Sequence, residues 1–203
     1  AYKGESFGTT MDIVVSNTPQ NPGGYWLKKH SQSSVNNVSY FSSMSGITAC
    51  IIRLAEVYLI QAEAWNEYLT QPDEKVYAPL NKVRKRAGID DVVTAWKSYS
   101  NQPGKVDTKE GMREIIRQEI NIELAFEGQR YWNLRRWKIA ELELNEKQYG
   151  WNILGESART FYNNFEGPIV IWSKSKFTAP RNYLTPIKAE EILISGMVQN
   201  PGW

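Results

Sequence analysis

The sequence predicts a mainly α fold of the α+β kind, in which helical hairpins support an irregular, loop-rich lobe containing short strands. Three observations predict it. Residues 1–50 are dominated by Ser, Asn, Gly and Pro, in stretches such as "SNTPQNPGGYW" and "SQSSVNNVSYFSSMSG", where long helices do not form. From Ile51 the composition turns amphipathic, and helical periodicity continues to about residue 147. After Tyr149 the texture changes again, to β-branched and aromatic runs such as "IVIWSKSKFT". The organisation expected is an irregular segment at 1–50, two helix pairs at 51–147, and a strand-and-loop segment at 148–203.

In the first segment, "MDIVVS" has the pattern of a short strand, and Trp26 is expected to pack where the irregular lobe meets the helices. In "IIRLAEVYLIQAEAWNEYL", residues Ile51, Ala55, Tyr58, Ala62, Trp65 and Leu69 recur at helical spacing, with Arg53, Glu56 and Glu63 on the far side. That spacing predicts a helix of about five turns. "TQPDE" closes it and opens a second helix, which runs to "LNKVRKRAG" and stops at Gly88, a natural left-handed terminus. Pro79 must lie near the first turn of that helix or kink it. "IDDVVTAWKSYSNQPGK" reads as a loop. In "DTKE", Asp107 as N-cap and Glu110 three residues on have the pattern of a capping box opening the third helix. Gly128 marks a break, and "YWNLRRWKIAELELNEKQ" supplies the fourth helix. Two consecutive hairpins predict a short array of the tetratricopeptide kind. Further on, "YLTPIKAEEILIS" reads as a strand followed by a short helix.

Composition removes several function classes. A formal charge of +2 is too small to make nucleic acid the expected partner. One histidine, His30, and one cysteine, Cys50, leave no histidine-ligated metal, no serine–histidine triad, no cysteine-rich metal site and no internal disulfide. No phosphate-binding loop, dinucleotide fingerprint or nucleophile elbow occurs. No cofactor and no bound metal are therefore expected. Nothing approaches the roughly 20 apolar residues of a membrane helix. The opening "AYKGESFGTT" lacks an initiator Met and a secretory signal, and reads as the interior of a longer protein.

Two sets of residues carry candidate chemistry. The third helix places Glu119 and Glu123 on the stripe that holds Ile115, Ile116 and Phe126. Carboxylates at i, i+4 lie about 6 Å apart, close to the separation used by retaining glycosidases. Acids on an apolar stripe become covered by packing, and each would then cost several kcal/mol without a partner. Arg53, Arg84, Arg130 and Arg135 are the available guanidinium groups, so structural ion pairs are favoured over acid–base catalysis. The second set is aromatic, drawn from eight Trp and eleven Tyr. Tyr58, Trp65, Trp132 and Trp137 sit in helical patterns and are expected to pack. Trp96, Trp151, Tyr162 and Trp172 fall in predicted loops or strands, where rings stack on flat ligands and sugar faces.

At this point the sequence resembles the SusD/RagB family of outer-membrane nutrient-binding lipoproteins. "IIRLAEVYLIQAEA" (51–64), "LNKVRKRAG" (80–88), "IRQEINIELAFEGQRYWNLRRW" (116–137), and "YLTPIKAEEI" with "QNPGW" (183–192 and 199–203) carry the likeness, in the family's order. The chain departs from the family pattern at Ile120, at Asn133 and in "PIKAEE". The resemblance implies tetratricopeptide-like helix pairs beneath a variable lobe that binds glycan. It implies a non-enzymatic surface protein, lipid-anchored on the outer membrane through a segment absent from this chain, and working with a TonB-dependent, SusC-like transporter. Residues 1–50 would then belong to the binding lobe. Two alternatives remain at this stage: a glycoside hydrolase using Glu119 or Glu123, and a helical-repeat interaction module without a small ligand.

Overall fold

In the computed structural model the described residues are Lys29, 50–152, 155–172 and 176–203. "MDIVVS", Trp26, His30 and nearly all of the irregular first segment lie outside them. The described parts are mainly helical, with one two-stranded antiparallel sheet. They divide into two compact units, 48–132 and 133–203.

The first unit is built on three helices: α1 (Leu54–Tyr68), α2 (Glu74–Arg86) and α4 (Lys109–Glu123). A loop of a few residues joins α1 to α2 and makes them neighbours. Asp73 caps α2 by accepting from the Lys75 N–H, and Gly88 just beyond its end adopts φ +75°. Pro79 stands in the second turn of α2, on its buried face. Against α1, α4 runs antiparallel, because polar contacts tie opposite ends together. At one end Arg53 reaches Glu123; at the other Asn66 Nδ2 donates to the Lys109 carbonyl (3.1 Å). Between the three helices lie Leu59, Ala62, Val76, Leu80, Val83, Met112, Ile115, Ile116 and Ile120, all buried.

Several expectations shift here. α1 starts three residues after Ile51, which is fully exposed, and its buried stripe runs through Leu59, Ala62 and Asn66. Arg53 occupies the N-cap position of α1, not its far side. The segment read as a loop folds as α3 (Val92–Tyr99) followed by a 3-10 turn (Pro103–Asp107), because Val92 and Val106 each bury completely. The cap of α4 is Thr108, whose hydroxyl accepts from the Gly111 N–H (3.1 Å). Asp107 instead pairs with Lys97 (3.0 Å). α4 ends at Glu123, so Phe126 leaves the stripe, takes φ +64° and is exposed.

At the open end of α1, Glu67 meets Arg113 through two hydrogen bonds (2.6 and 2.8 Å). The guanidinium holds Glu67 below the usual carboxylate range. A lowered folded pKa contributes stability above the ordinary glutamate value, and that contribution is lost as pH falls through the folded value. Because both side chains are partly exposed, the effect is small. Glu67→Gln is expected to lower the thermal midpoint slightly at pH 7. The difference from wild type should close once pH has fallen below the lowered Glu67 value and the carboxyl is protonated; a gap that persists there contradicts the pairing.

The predicted fourth helix divides into α5 (Gln129–Arg136) and α6 (Ala140–Leu144), with Lys138 at φ +57° between them. The unit boundary falls within α5. In the second unit Leu134, Ala140 and Phe177 form a small core, with Trp137, Ile139, Leu144 and Tyr183 packed on it. Strand β1 (Gln148–Gly150) pairs antiparallel with β2 (Ile169–Trp172), matching Tyr149 with Val170 and Gly150 with Ile169. A single-turn helix, α7 (Ala158–Phe161), lies between them in sequence. Its capping box is complete, formed by Ser157 and Thr160. The strand expected near Tyr183 is absent: Arg181–Tyr183 form a 3-10 turn, and the chain enters α8 (Ala189–Ser195) without strand pairing. The terminal motif folds back, with the Trp203 indole N–H donating to the Arg181 and Leu184 carbonyls (both 3.0 Å).

Candidate functional site

The acids of α4 are met by arginines. Arg84, at the end of α2, donates to the Glu119 carboxylate and, through Nε, to the Asp90 carbonyl (2.7 Å). Arg53 places Nη1 2.6 Å from Glu123 Oε1, Nη2 2.6 Å from the Glu123 carbonyl, and Nε 2.7 Å from Glu127 Oε2. The hydrogen bond to Glu127 is the largest reason its pKa is raised. Arg86 Nη2 adds a bond to each oxygen of Glu123 (2.7 and 2.6 Å). Among the described residues Glu123 therefore receives a guanidinium group from α2 and another from the start of α1. This geometry joins three helices through charge-assisted hydrogen bonds.

The other two arginines are placed differently. Arg135 donates to the Tyr183 carbonyl, within the second unit. Arg130 is exposed on α5. Reasoning from sequence missed Arg86 and Glu127. Arg86 lies in a basic run that reads as a mixed surface, and Glu127 follows the end of α4, where helical spacing no longer predicts position.

The aromatic candidates divide in the same way. Trp96 lies on α3 and not on a loop; it is half-buried, with the Lys105 ammonium 5.4 Å from its ring centroid. Trp172 ends β2, in register with Gln148. Trp151 and Tyr162 come together at 5.2 Å between ring centroids, edge to face. Among the described residues two further rings join them, neither singled out in the sequence. Phe161, buried at the end of α7, lies 6.4 Å from Trp151 and 4.9 Å from Tyr162. Phe165 stacks on Tyr162 at 6.0 Å with planes 20° apart. The signal available was the spacing in "FYNNFEG", where an Asn-Asn turn returns the third ring to the second.

That turn is strained. Asn163, Asn164 and Phe165 have φ of 51°, 54° and 66° in succession. Asn tolerates this region, but a bulky ring does not. Each such residue costs on the order of 1–3 kcal/mol unless its surroundings impose it. Arg159 Nε donates to Asn164 Oδ1 (3.2 Å), fixing a guanidinium beside the turn. Two exposed rings over two more enclosed ones, with amide and guanidinium groups adjoining, form a surface suited to ring stacking plus hydrogen bonding to hydroxyls. Among the described residues no group of His, Cys, Asp and Glu side chains is arranged to hold a metal.

The comparisons with known proteins agree with one another. The SusD family model matches residues 9–203. A SusD-like protein, P2, of Formosa agariphila is 30% identical over 157 residues, which are 75% of this chain and 25% of that protein. The crystal structure of a SusD-like protein from Bacteroides fragilis aligns with TM-score 0.54 and 31% identity, covering 73% of this chain and 25% of that one. The chain thus spans about a quarter of the length of the relatives it matches.

Proposed function

The chain belongs to the SusD family, and on that premise we propose that it is part of a cell-surface glycan-binding protein that works in nutrient uptake with a TonB-dependent, SusC-like outer-membrane transporter. In this reading the protein is held at the outer membrane by a lipid anchor. The helices of the first unit serve as a rigid platform, and ligand is bound without covalent chemistry or cofactor. The observation that carries it is the ring cluster of Trp151, Phe161, Tyr162 and Phe165, two of whose members face solvent. Trp151 and Tyr162 are the proposed ligand-binding residues, with Trp172 a further candidate. Arg53, Arg84, Glu119 and Glu123 brace the platform, and pairing of those carboxylates supports a binder over a glycoside hydrolase.

A glycan array followed by calorimetry on the intact protein tests this reading. Saccharide binding without turnover is expected, and Tyr162→Ala should weaken it about tenfold, the effect of losing roughly 1.4 kcal/mol of ring contact. Hydrolysis abolished by Glu123→Gln would establish the hydrolase instead. Absence of any saccharide binding, together with tight capture of a protein, would establish the interaction module.

A further inference from the structure

We propose that the outward face of α1 seats an amphipathic helix from the part of the protein outside this sequence, and that this helix carries acidic residues along its edge facing α2. The inference goes beyond the glycan-binding reading and does not depend on it. α1 is apolar on two sides. Its inner stripe, Leu59 and Ala62 with Asn66, is buried where α1 meets α2 and α4. On the far side Leu54, Val57, Ile60, Ala64 and Tyr68 recur at spacings of three and four, which keeps them on one face. Leu54 is 63% exposed, Val57 47%, Ile60 53% and Tyr68 79%. A surface helix turns charged residues outward, whereas a helix apolar all round belongs inside a structure. The exposed stripe runs from the first residue of α1 to its last, long enough to seat a helix of about four turns.

Length identifies the source of that helix. About three-quarters of each SusD-like relative lies outside the part that matches this chain. A face that is apolar along its whole length suits a permanent neighbour, and a segment of the same polypeptide takes that place without the entropy cost of association. Charge sets the chemistry of the occupant. Lys82 holds its ammonium 4.6 Å from the Tyr58 ring centroid, and Lys75 holds its own 4.8 Å from that of Trp65. Tyr58 and Trp65 lie on the α2 side of the stripe, seven residues or about two turns apart, so two exposed cations border it there. Neither lysine is paired with a carboxylate among the described residues. The opposite edge, towards α4, holds Glu56 and Glu67, the latter bonded to Arg113. Acids two turns apart on an incoming helix therefore meet both ammonium groups on the α2 side and would face glutamate on the other, which fixes which edge is acidic.

Two measurements on the complete protein test this. The first, in a Cys50→Ser background, is the rate at which a maleimide labels Val57→Cys or Ala64→Cys under native conditions and in denaturant. Labelling is expected to be on the order of a hundredfold slower in the native protein, as for a buried thiol that reacts only on opening. The second is zero-length carbodiimide crosslinking of the otherwise unaltered protein, read by mass spectrometry on a mixture of isotopically light and heavy molecules. The expected product joins Lys75 or Lys82 to an aspartate or glutamate of the same molecule, on an amphipathic helix outside these residues. Native labelling as fast as in denaturant would show a face open to water and overturns the inference. Crosslinks only between light and heavy copies make the face a contact between molecules and overturn it too. So does protection of both thiols with no carboxylate outside this sequence joined to either lysine. Saccharide binding is read separately by the glycan array, so failure of that reading leaves these outcomes intact.

Discussion

Gly111→Ala is expected to destabilise the first unit by about 2–3 kcal/mol, against the direction that helix propensity alone would give. An alanine inside a helix is ordinarily favoured over glycine by about 1 kcal/mol. Gly111, however, stands in the first turn of α4, where the chain returns from the 3-10 turn before it. A Cβ there would lie 2.1 Å from the Lys105 carbonyl oxygen and 2.7 Å from the Thr108 hydroxyl that caps the helix. The first contact is backbone and cannot rotate away. Relief requires moving the turn that buries Val106, or losing the cap, itself worth about 1 kcal/mol. Overpacking therefore outweighs propensity. The midpoint of urea unfolding should fall clearly below that of Gly104→Ala, since the latter position has no heavy atom within 4 Å of its added Cβ. Equal midpoints would contradict the approach of the turn to α4.

Arg84→Ala should cost about 3 kcal/mol, the low end for breaking a buried pair. Arg84 is the most enclosed charged residue among those described, at 8% exposure, and Glu119 opposite it retains only 17% of its side-chain exposure. Removing the guanidinium strands that carboxylate between α2 and α4 and also leaves the Asp90 carbonyl without its donor. Most of the cost is the penalty of the abandoned charge rather than the worth of the pair. Replacing both partners by apolar residues of similar size, Arg84→Met with Glu119→Leu, should therefore recover most of the loss. Thermal unfolding of the single and double variants distinguishes the two terms. A single variant within about 0.5 kcal/mol of wild type, as at an ordinary surface site, would show that the charges are not enclosed.

The candidate site was legible only in part, for reasons visible at particular residues. Trp151 and Tyr162 stood out because nothing in a helical pattern accounted for them. Phe165 did not, since its position depends on three successive left-handed residues that no periodicity announces. Trp96 looked like a loop residue because "VVTAWKSY" is too short for a convincing moment, yet burial of Val92 against α2 stabilises the turns around it. Asp107 and Thr108 are both good caps in sequence, and the choice between them depends on where the preceding turn ends. Phe126 continued the stripe on paper but fell just after a helix whose last turn stops at Glu123.

What the sequence determined by itself was local or compositional: the mainly helical class, the positions of α1, α2 and α4, the left-handed stop at Gly88, and the family, through motifs kept in order. Helical periodicity and turn chemistry act over a few residues, so they can be read along the chain. What only the tertiary structure decided was partnership across distance. Glu123 lies 37 residues from Arg86 and 70 from Arg53, and the rings of Trp151 and Tyr162 meet across the intervening segment. Such contacts depend on where separate elements come to rest against each other, and spacing within one element carries no record of that.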